Sequence, residues 1–285
     1  MTPPMGLFSF SRKEPPERPG DVRPTPTTSV PIKGSDLEVL LQDLEAGAKT
    51  QQGLLPREPI QVPGYDLAAF LRPARTVSGD FYDVLPIDPT RVGLVVADAS
   101  GKGLPACLMA VMCQLLFRVR PEPEAGPARA LTLVNHMLNG NIKRGTFVSG
   151  IYGILDTERN TLTLANAGHL PAVVWHSRAK VATVHRSNGP VLGVLPPDQY
   201  AAMIQEETVS LQPGDRFVLF TDGMNEAMAP GQKEFGMEHL RRRLMAGSDG
   251  PSNGFIRDLT EQLHLHAGGG EQSDDITILT GRRLP

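Results

Sequence analysis

Apolar positions along this chain change their period several times, and each change marks an element. Leu37, Leu41, Leu44, Ala48, Gln51 and Leu55 recur at alternating intervals of four and three, which is the spacing of one helix face. Ser35 is placed to cap that helix, and Asp36 and Glu38 fall in its first turn, where the helix dipole favours acids. A helix over 36–55 is predicted, ended by Pro56 and Pro59. Its stripe suits two roles: the seam of a short coiled coil, or a face lying on the chain's own domain.

Beyond residue 60 the runs are short and of strand length. Strands at 77–87 and 91–98 flank the turn Asp88-Pro89-Thr90. Helices over 104–119 and 128–141 follow, the first with Pro105 in its opening turn. Up to six strands in hairpin succession come next, at 147–155, 161–167, 172–176, 181–185, 202–211 and 216–221. Turn chemistry separates them at 156–160, 177–180 and Gln212-Pro213-Gly214-Asp215. Helices at 234–246 and 255–266 precede a last strand, 276–280. Strands grouped together and helices grouped between them predict an α+β fold with antiparallel sheets, not a doubly wound one.

Composition narrows the picture. The 285 residues carry 28 Lys+Arg against 31 Asp+Glu, a net charge of −3, which argues against general nucleic-acid or membrane-surface binding. Arg241-Arg242-Arg243 point in three directions on a helix and read as a solvated face. Eight of the 26 prolines fall in residues 1–35, so that stretch is expected to be a disordered tail. The expected organisation is a tail over 1–35, a regulatory or dimerisation helix over 36–56, and one domain over 57–285. Cys107 and Cys113 face opposite sides of one apolar helix and cannot bridge. With no secretory signal and no apolar run long enough to span a bilayer, a cytoplasmic location without a membrane span is expected.

The acids carry the chemistry. If 88–90 form a three-residue loop, Ile87 faces Arg91 and Asp80 faces Asp98, with Cβ atoms about 5 Å apart on one face of the sheet. Two buried carboxylates so placed need a proton or a cation between them. Asp98 ends an apolar strand and runs into Ala99-Ser100-Gly101-Lys102-Gly103. The strand 216–221 stops at Asp222, and Asp274-Asp275 precede the strand 276–280. If those two strands are antiparallel neighbours, the acids meet in an oxygen-rich cluster suited to Mg²⁺ or Mn²⁺. No HExxH occurs, so zinc chemistry is not supported.

Ser78-Gly79-Asp80-Phe81-Tyr82-Asp83 and Ala97-Asp98-Ala99-Ser100-Gly101-Lys102-Gly103 resemble the first two motifs of the SpoIIE/RsbU-type serine phosphatases. That group lies within the metal-dependent protein phosphatase superfamily (PPM, protein phosphatase 2C-like). Asn166-Ala167-Gly168-His169, Pro213-Gly214-Asp215, Thr221-Asp222-Gly223-Met224-Asn225-Glu226 and Ser273-Asp274-Asp275-Ile276-Thr277 follow in the family's order, and Gln51-Gln52-Gly53-Leu54-Leu55-Pro56 resembles its opening segment. Together these span roughly residues 45 to 281.

The resemblance implies an αββα sandwich and a centre of two ions, Mn²⁺ or Mg²⁺. Asp98 would bridge both ions, with the Ala99 carbonyl on the first, and Asp222 and Asp274 would hold the second. Asp80 would orient the attacking water, and Asp275 would substitute for or support Asp274. Arg75 would bind phosphate, with Lys102 as its rival. His169 reads either as a general acid or as a residue closing a turn. The implied activity is hydrolysis of phosphoserine or phosphothreonine on a bacterial signalling protein, such as an anti-sigma-factor antagonist of the STAS type. Regulation would then act through a partner or through the helix at 36–55, by homodimerisation or by docking a regulator. The alternative is a non-catalytic module of the same fold that sequesters a signalling partner, and the intact Asp80, Asp98, Asp222 and Asp274 favour the enzyme.

Overall fold

The computed structural model describes residues 34–57, 60–119, 125–186, 188–231, 233–247 and 249–285; the expected Pro-rich tail lies almost wholly outside the described residues. The chain divides into two units, Met1–Leu40 and Leu41–Pro285. Of the first, only the opening of helix α1 (Gly34–Gln52) is described. The second holds every strand found among the described residues.

The first hairpin has the register that its loop length requires. Strand β3 (Asp80–Pro86) pairs antiparallel with β4 (Arg91–Ala99), placing Asp80 opposite Asp98, and the Ile87 N–H donates to the Arg91 carbonyl at 2.9 Å. Asp88 closes the turn by accepting from the backbone N–H groups of Thr90 and Arg91. β4 continues into β5 (Val148–Asp156), β6 (Thr161–Ala167) and β9 (Glu206–Ser210), giving a sheet ordered β3-β4-β5-β6-β9. The second sheet, ordered β1-β2-β11-β10-β7-β8, comprises β1 (Gln61–Val62), β2 (Tyr65–Arg72), β7 (Ala172–His176), β8 (Val181–His185), β10 (Arg216–Phe220) and β11 (Ile276–Arg283). All pairings are antiparallel.

Alternation along the central strands builds three apolar layers. Leu94 and Val96 of β4 meet Phe217 and Leu219 of β10 between the sheets, while Val95 and Ala97 turn outward. There they pack on Ala110 and Cys113 of α2 (Leu104–Arg118) and Leu131 and Leu138 of α3 (Pro127–Leu138). On the other side Val218 and Phe220 pack on Leu240 of α6 (Gly236–Gly247) and Leu259 of α7 (Ser252–Ala267). Strands covered on both faces read as unbroken apolar runs, which is how β4 and β10 appear in the sequence. The result is the α+β αββα sandwich. Among the described residues no helix is long and apolar enough to cross a membrane.

Several elements differ from expectation. β1 and β2 were not predicted, because Leu67-Ala68-Ala69-Phe70-Leu71 lacks polar alternation; β11 defines β2 by pairing along it from Tyr65 to Arg72. Residues 202–203 belong to helix α4 (Pro197–Met203), which Pro197 and Asp198 favour at its start, so the predicted strand begins only at Glu206. β11 runs to Arg283 rather than 280.

Candidate active site

Ends of four strands bring the acids to one edge of the sandwich. β3 opens on Asp80, and β4 carries Asp98 one residue before its end. β10 stops at Phe220, and Asp222 opens the four-residue helix α5 (Asp222–Asn225). The Thr221 N–H still donates to the Thr277 carbonyl at 3.1 Å, which keeps Asp222 beside the Asp274-Asp275 approach to β11. Gly223 permits that closeness: a Cβ there would overlap the Asp275 carbonyl oxygen. Gly101, at φ +98°, supplies the left-handed turn by which the chain leaves β4 for α2.

Asp80 is buried at 2% exposure. Its Oδ2 accepts from the hydroxyls of Thr221 and Thr277, each at 2.7 Å, and its N–H donates to Ser78 Oγ at 3.0 Å. Burial, then the facing Asp98, push its pKa well above the ordinary carboxylate range, against the pull of the two threonines. Burial raises Asp98 to about 7, with Asp222, Asp274 and Asp275 adding repulsion and Lys102 opposing it. Asp222 is also raised, by burial and then by Asp274. Each acid therefore sits in a field made negative by the others.

The two neighbouring acids differ. Asp275 is committed to the loop before β3: Oδ1 accepts from the Ala74 N–H at 2.7 Å, and Oδ2 from Ser78 Oγ at 2.9 Å and the Gly79 N–H at 2.7 Å. Asp274 is 42% exposed, and its Oδ2 is paired with Lys102 Nζ at 2.8 Å. Lys102 Nζ also donates to the Ser273 carbonyl at 2.9 Å. A small open cleft adjoins them, lined by Ala74, Arg75, Val77, Lys102, Gly103 and the two acids. Arg75 and Lys102 thus share one cleft beside the cluster. Ala99 lies buried at the end of β4, its N–H donating to the Gly79 carbonyl at 3.0 Å.

The donor set suits a hard divalent cation, since it is all oxygen and its members raise one another's pKa for want of positive charge. Among the described residues, however, no three His, Cys, Asp or Glu side chains are gathered closely enough to hold an ion as they stand. Asp274 is turned to Lys102, and Asp275 to its loop.

His169 closes a turn. Its N–H donates to Asn166 Oδ1 at 2.7 Å, and the Asn166 amide returns to the His169 carbonyl at 3.0 Å. The ring nitrogens lie 2.9 Å from Ser149 Oγ and 3.2 Å from the Phe220 carbonyl. A carbonyl only accepts, so Nε2 carries the proton and Nδ1 accepts from Ser149. Burial lowers the ring to about 4, and the neutral imidazole braces the end of β6 against the end of β10. Sequence reasoning missed Thr221 and Thr277 as partners of Asp80, because a threonine in or beside a strand carries no signal of its own. It also missed Gln51, whose amide accepts from the Ser78 N–H at 3.0 Å and donates to the Ser78 carbonyl at 2.7 Å.

A family model described as Stage II sporulation protein E (SpoIIE) matches residues 88–284. Protein IcfG of Synechocystis sp. (strain ATCC 27184 / PCC 6803 / Kazusa) is 26% identical over 264 residues, covering 83% of this chain and 41% of its own. Phosphoserine phosphatase RsbU of Bacillus subtilis (strain 168) is 29% identical over 195 residues, covering 68% of this chain and 56% of its own. The chain thus spans about half the length of these curated relatives. Among solved structures, the SiaA-PP2C domain of Pseudomonas aeruginosa superposes with a TM-score of 0.76 at 20% identity, over 88% of this chain and 99% of that domain. At that identity the likeness is one of fold.

Proposed function

The chain belongs to the SpoIIE family, of the metal-dependent protein phosphatase superfamily, and on that premise we propose that it hydrolyses phosphoserine or phosphothreonine on a signalling protein. One observation carries the reading: the strand ends bearing Asp80, Asp98, Asp222 and Asp274 lie along a single sandwich edge, beside a cleft that presents Arg75 and Lys102. Asp98, Asp222, Asp274 and the Ala99 carbonyl would hold two ions, Mn²⁺ or Mg²⁺. When bound, these lower the pKa of water towards neutrality and offset the charge on the phosphoryl oxygens. Asp80, fixed by its two threonines, orients the attacking water through Oδ1. Arg75 holds the phosphoryl group. A STAS-type antagonist is the substrate that we propose from the family. The test is hydrolysis of p-nitrophenyl phosphate with Mn²⁺ and with EDTA: activity only with the metal is expected. Mn²⁺ binding without any turnover, on this compound or on phosphopeptides, would favour a sequestering module instead.

We also propose that α1 carries regulation, by dimerisation or by docking a regulator. Its exposed Leu41 and half-buried Leu44 offer an apolar stripe. Its last turn reaches the site through Gln51, which clasps Ser78, whose hydroxyl in turn receives the Asp80 N–H. Leu41→Asp with Leu44→Asp should weaken self-association, read by sedimentation, by about a hundredfold if the stripe is a dimer seam. The rate on a phosphoprotein should change with it. Unchanged association and unchanged rate would remove α1 from the account.

A further inference from the structure

Positive charge is scarce at this edge. Burial raises the Asp98 carboxyl, three other acids add to that, and Lys102 opposes them. Lys102 comes from the turn after β4, and it crosses to the approach of β11 to lie 2.8 Å from Asp274 Oδ2 and 2.9 Å from the Ser273 carbonyl. Both contacts are with oxygen, and both are at the chain segment that the proposed function assigns to an ion. An ammonium bound to a carboxylate oxygen and a carbonyl oxygen stands where a hard cation would draw its ligands.

Resting on that assignment, we infer that Lys102 is a built-in counter-ion for Asp274, which a divalent cation must displace before Asp274 can join Asp98 and Asp222. Two observations support an exchange. Among the described residues, no three acids are gathered about one point. Asp275, next along the chain, cannot take the place of Asp274, because its oxygens already accept from Ala74, Ser78 and Gly79. The pair itself is exposed, at 50% for the lysine and 42% for the aspartate, so it is weak enough to open. Once displaced, the ammonium remains in the cleft that it shares with Arg75, beside the phosphoryl position. Lys102 is thus a positioning residue that sets the threshold at which metal loads the site.

The consequence follows from a thermodynamic cycle. Removing the ammonium destabilises only the metal-free protein, so the same free energy reappears as tighter metal binding. Mn²⁺ is titrated calorimetrically into the full chain, wild type, Lys102→Met and Lys102→Arg, with no substrate present. The Met variant should bind Mn²⁺ about fivefold more tightly, the most that an exposed pair supports. It should melt below wild type in EDTA and level with it at saturating Mn²⁺, whereas the Arg variant should follow wild type in both. Equal Mn²⁺ affinity in wild type and Lys102→Met, with Mn²⁺ clearly bound by both, overturns this inference and leaves the phosphatase reading standing. No Mn²⁺ bound by wild type overturns both.

Discussion

Asp98→Asn is expected to lower metal-dependent hydrolysis about 10³-fold or more while making the metal-free protein more resistant to heat at alkaline pH. The first effect follows from the place of Asp98 at the centre of the cluster, facing Asp80 across the β3–β4 ladder. An amide there removes the charge needed on the ions and cannot be replaced by Asp80, whose Oδ2 is already held by two threonine hydroxyls. The second effect is a matter of linkage. An ordinary aspartate titrates near 3.8, whereas Asp98 in the fold is held at about 7. Between those values the folded protein keeps a proton that the unfolded chain has released, so stability falls as pH rises through that window and levels off above it. Asp80 and Asp222, raised in the same direction, add to the slope. Melting in EDTA between pH 4.5 and pH 8.5 should therefore show a steep decline in wild type and a shallower one in Asp98→Asn. Parallel declines would mean that the carboxylates do not repel one another as the geometry requires.

How much of this was legible in the sequence depends on whether neighbouring residues or distant ones carry the information. The pairing of Asp80 with Asp98 follows from loop length and the period of a strand, both local, and the structure has that register. The antiparallel pairing of β10 with β11, which brings Asp222 to Asp274, was conditional on a long-range contact, and Phe220 does lie opposite Ile278. β2 was not legible, because Ala68 and Ala69 have little strand preference and only the partner β11 fixes their conformation. α4 was hidden because Tyr200, Ala201 and Ala202 fit a short apolar strand as well as a helix turn. Thr221 and Thr277 gave no signal of their own, since alternate threonines are ordinary in strands. Their meaning arises only when two strands lay both hydroxyls on one carboxylate oxygen. Nor could sequence separate Asp274 from Asp275: adjacent residues at a strand end point opposite ways, and which way is inward depends on the sheet.

That difference yields the second large effect, a crossed pair of variants. Asp275→Asn should cost on the order of 3 kcal/mol of stability, because one carboxylate accepts three hydrogen bonds from the Ala74–Gly79 loop and an amide turns one of its two oxygens into a donor facing donors. A loss of that size lowers the melting temperature by about 10 °C for a domain of this size. It should also raise KM more than it lowers kcat, since the loosened loop carries Arg75. Asp274→Asn should do the reverse. Among the described residues its exposed carboxylate makes only the Lys102 pair and a bond to its neighbour's N–H, so stability should change by about 1 kcal/mol or less. Its Mn²⁺ affinity, measured by calorimetry, should fall about a hundredfold, as expected when a ligand oxygen is lost. If instead Asp275→Asn abolished Mn²⁺ binding with the fold intact, and Asp274→Asn left that binding unchanged, the two acids would have to exchange roles. The loop hydrogen bonds would then have to break on loading. In that case Ser78 and Gly79 would move with the metal, and hydrogen exchange at the Gly79 amide would accelerate when Mn²⁺ is added; the assignment made here requires that amide to stay protected.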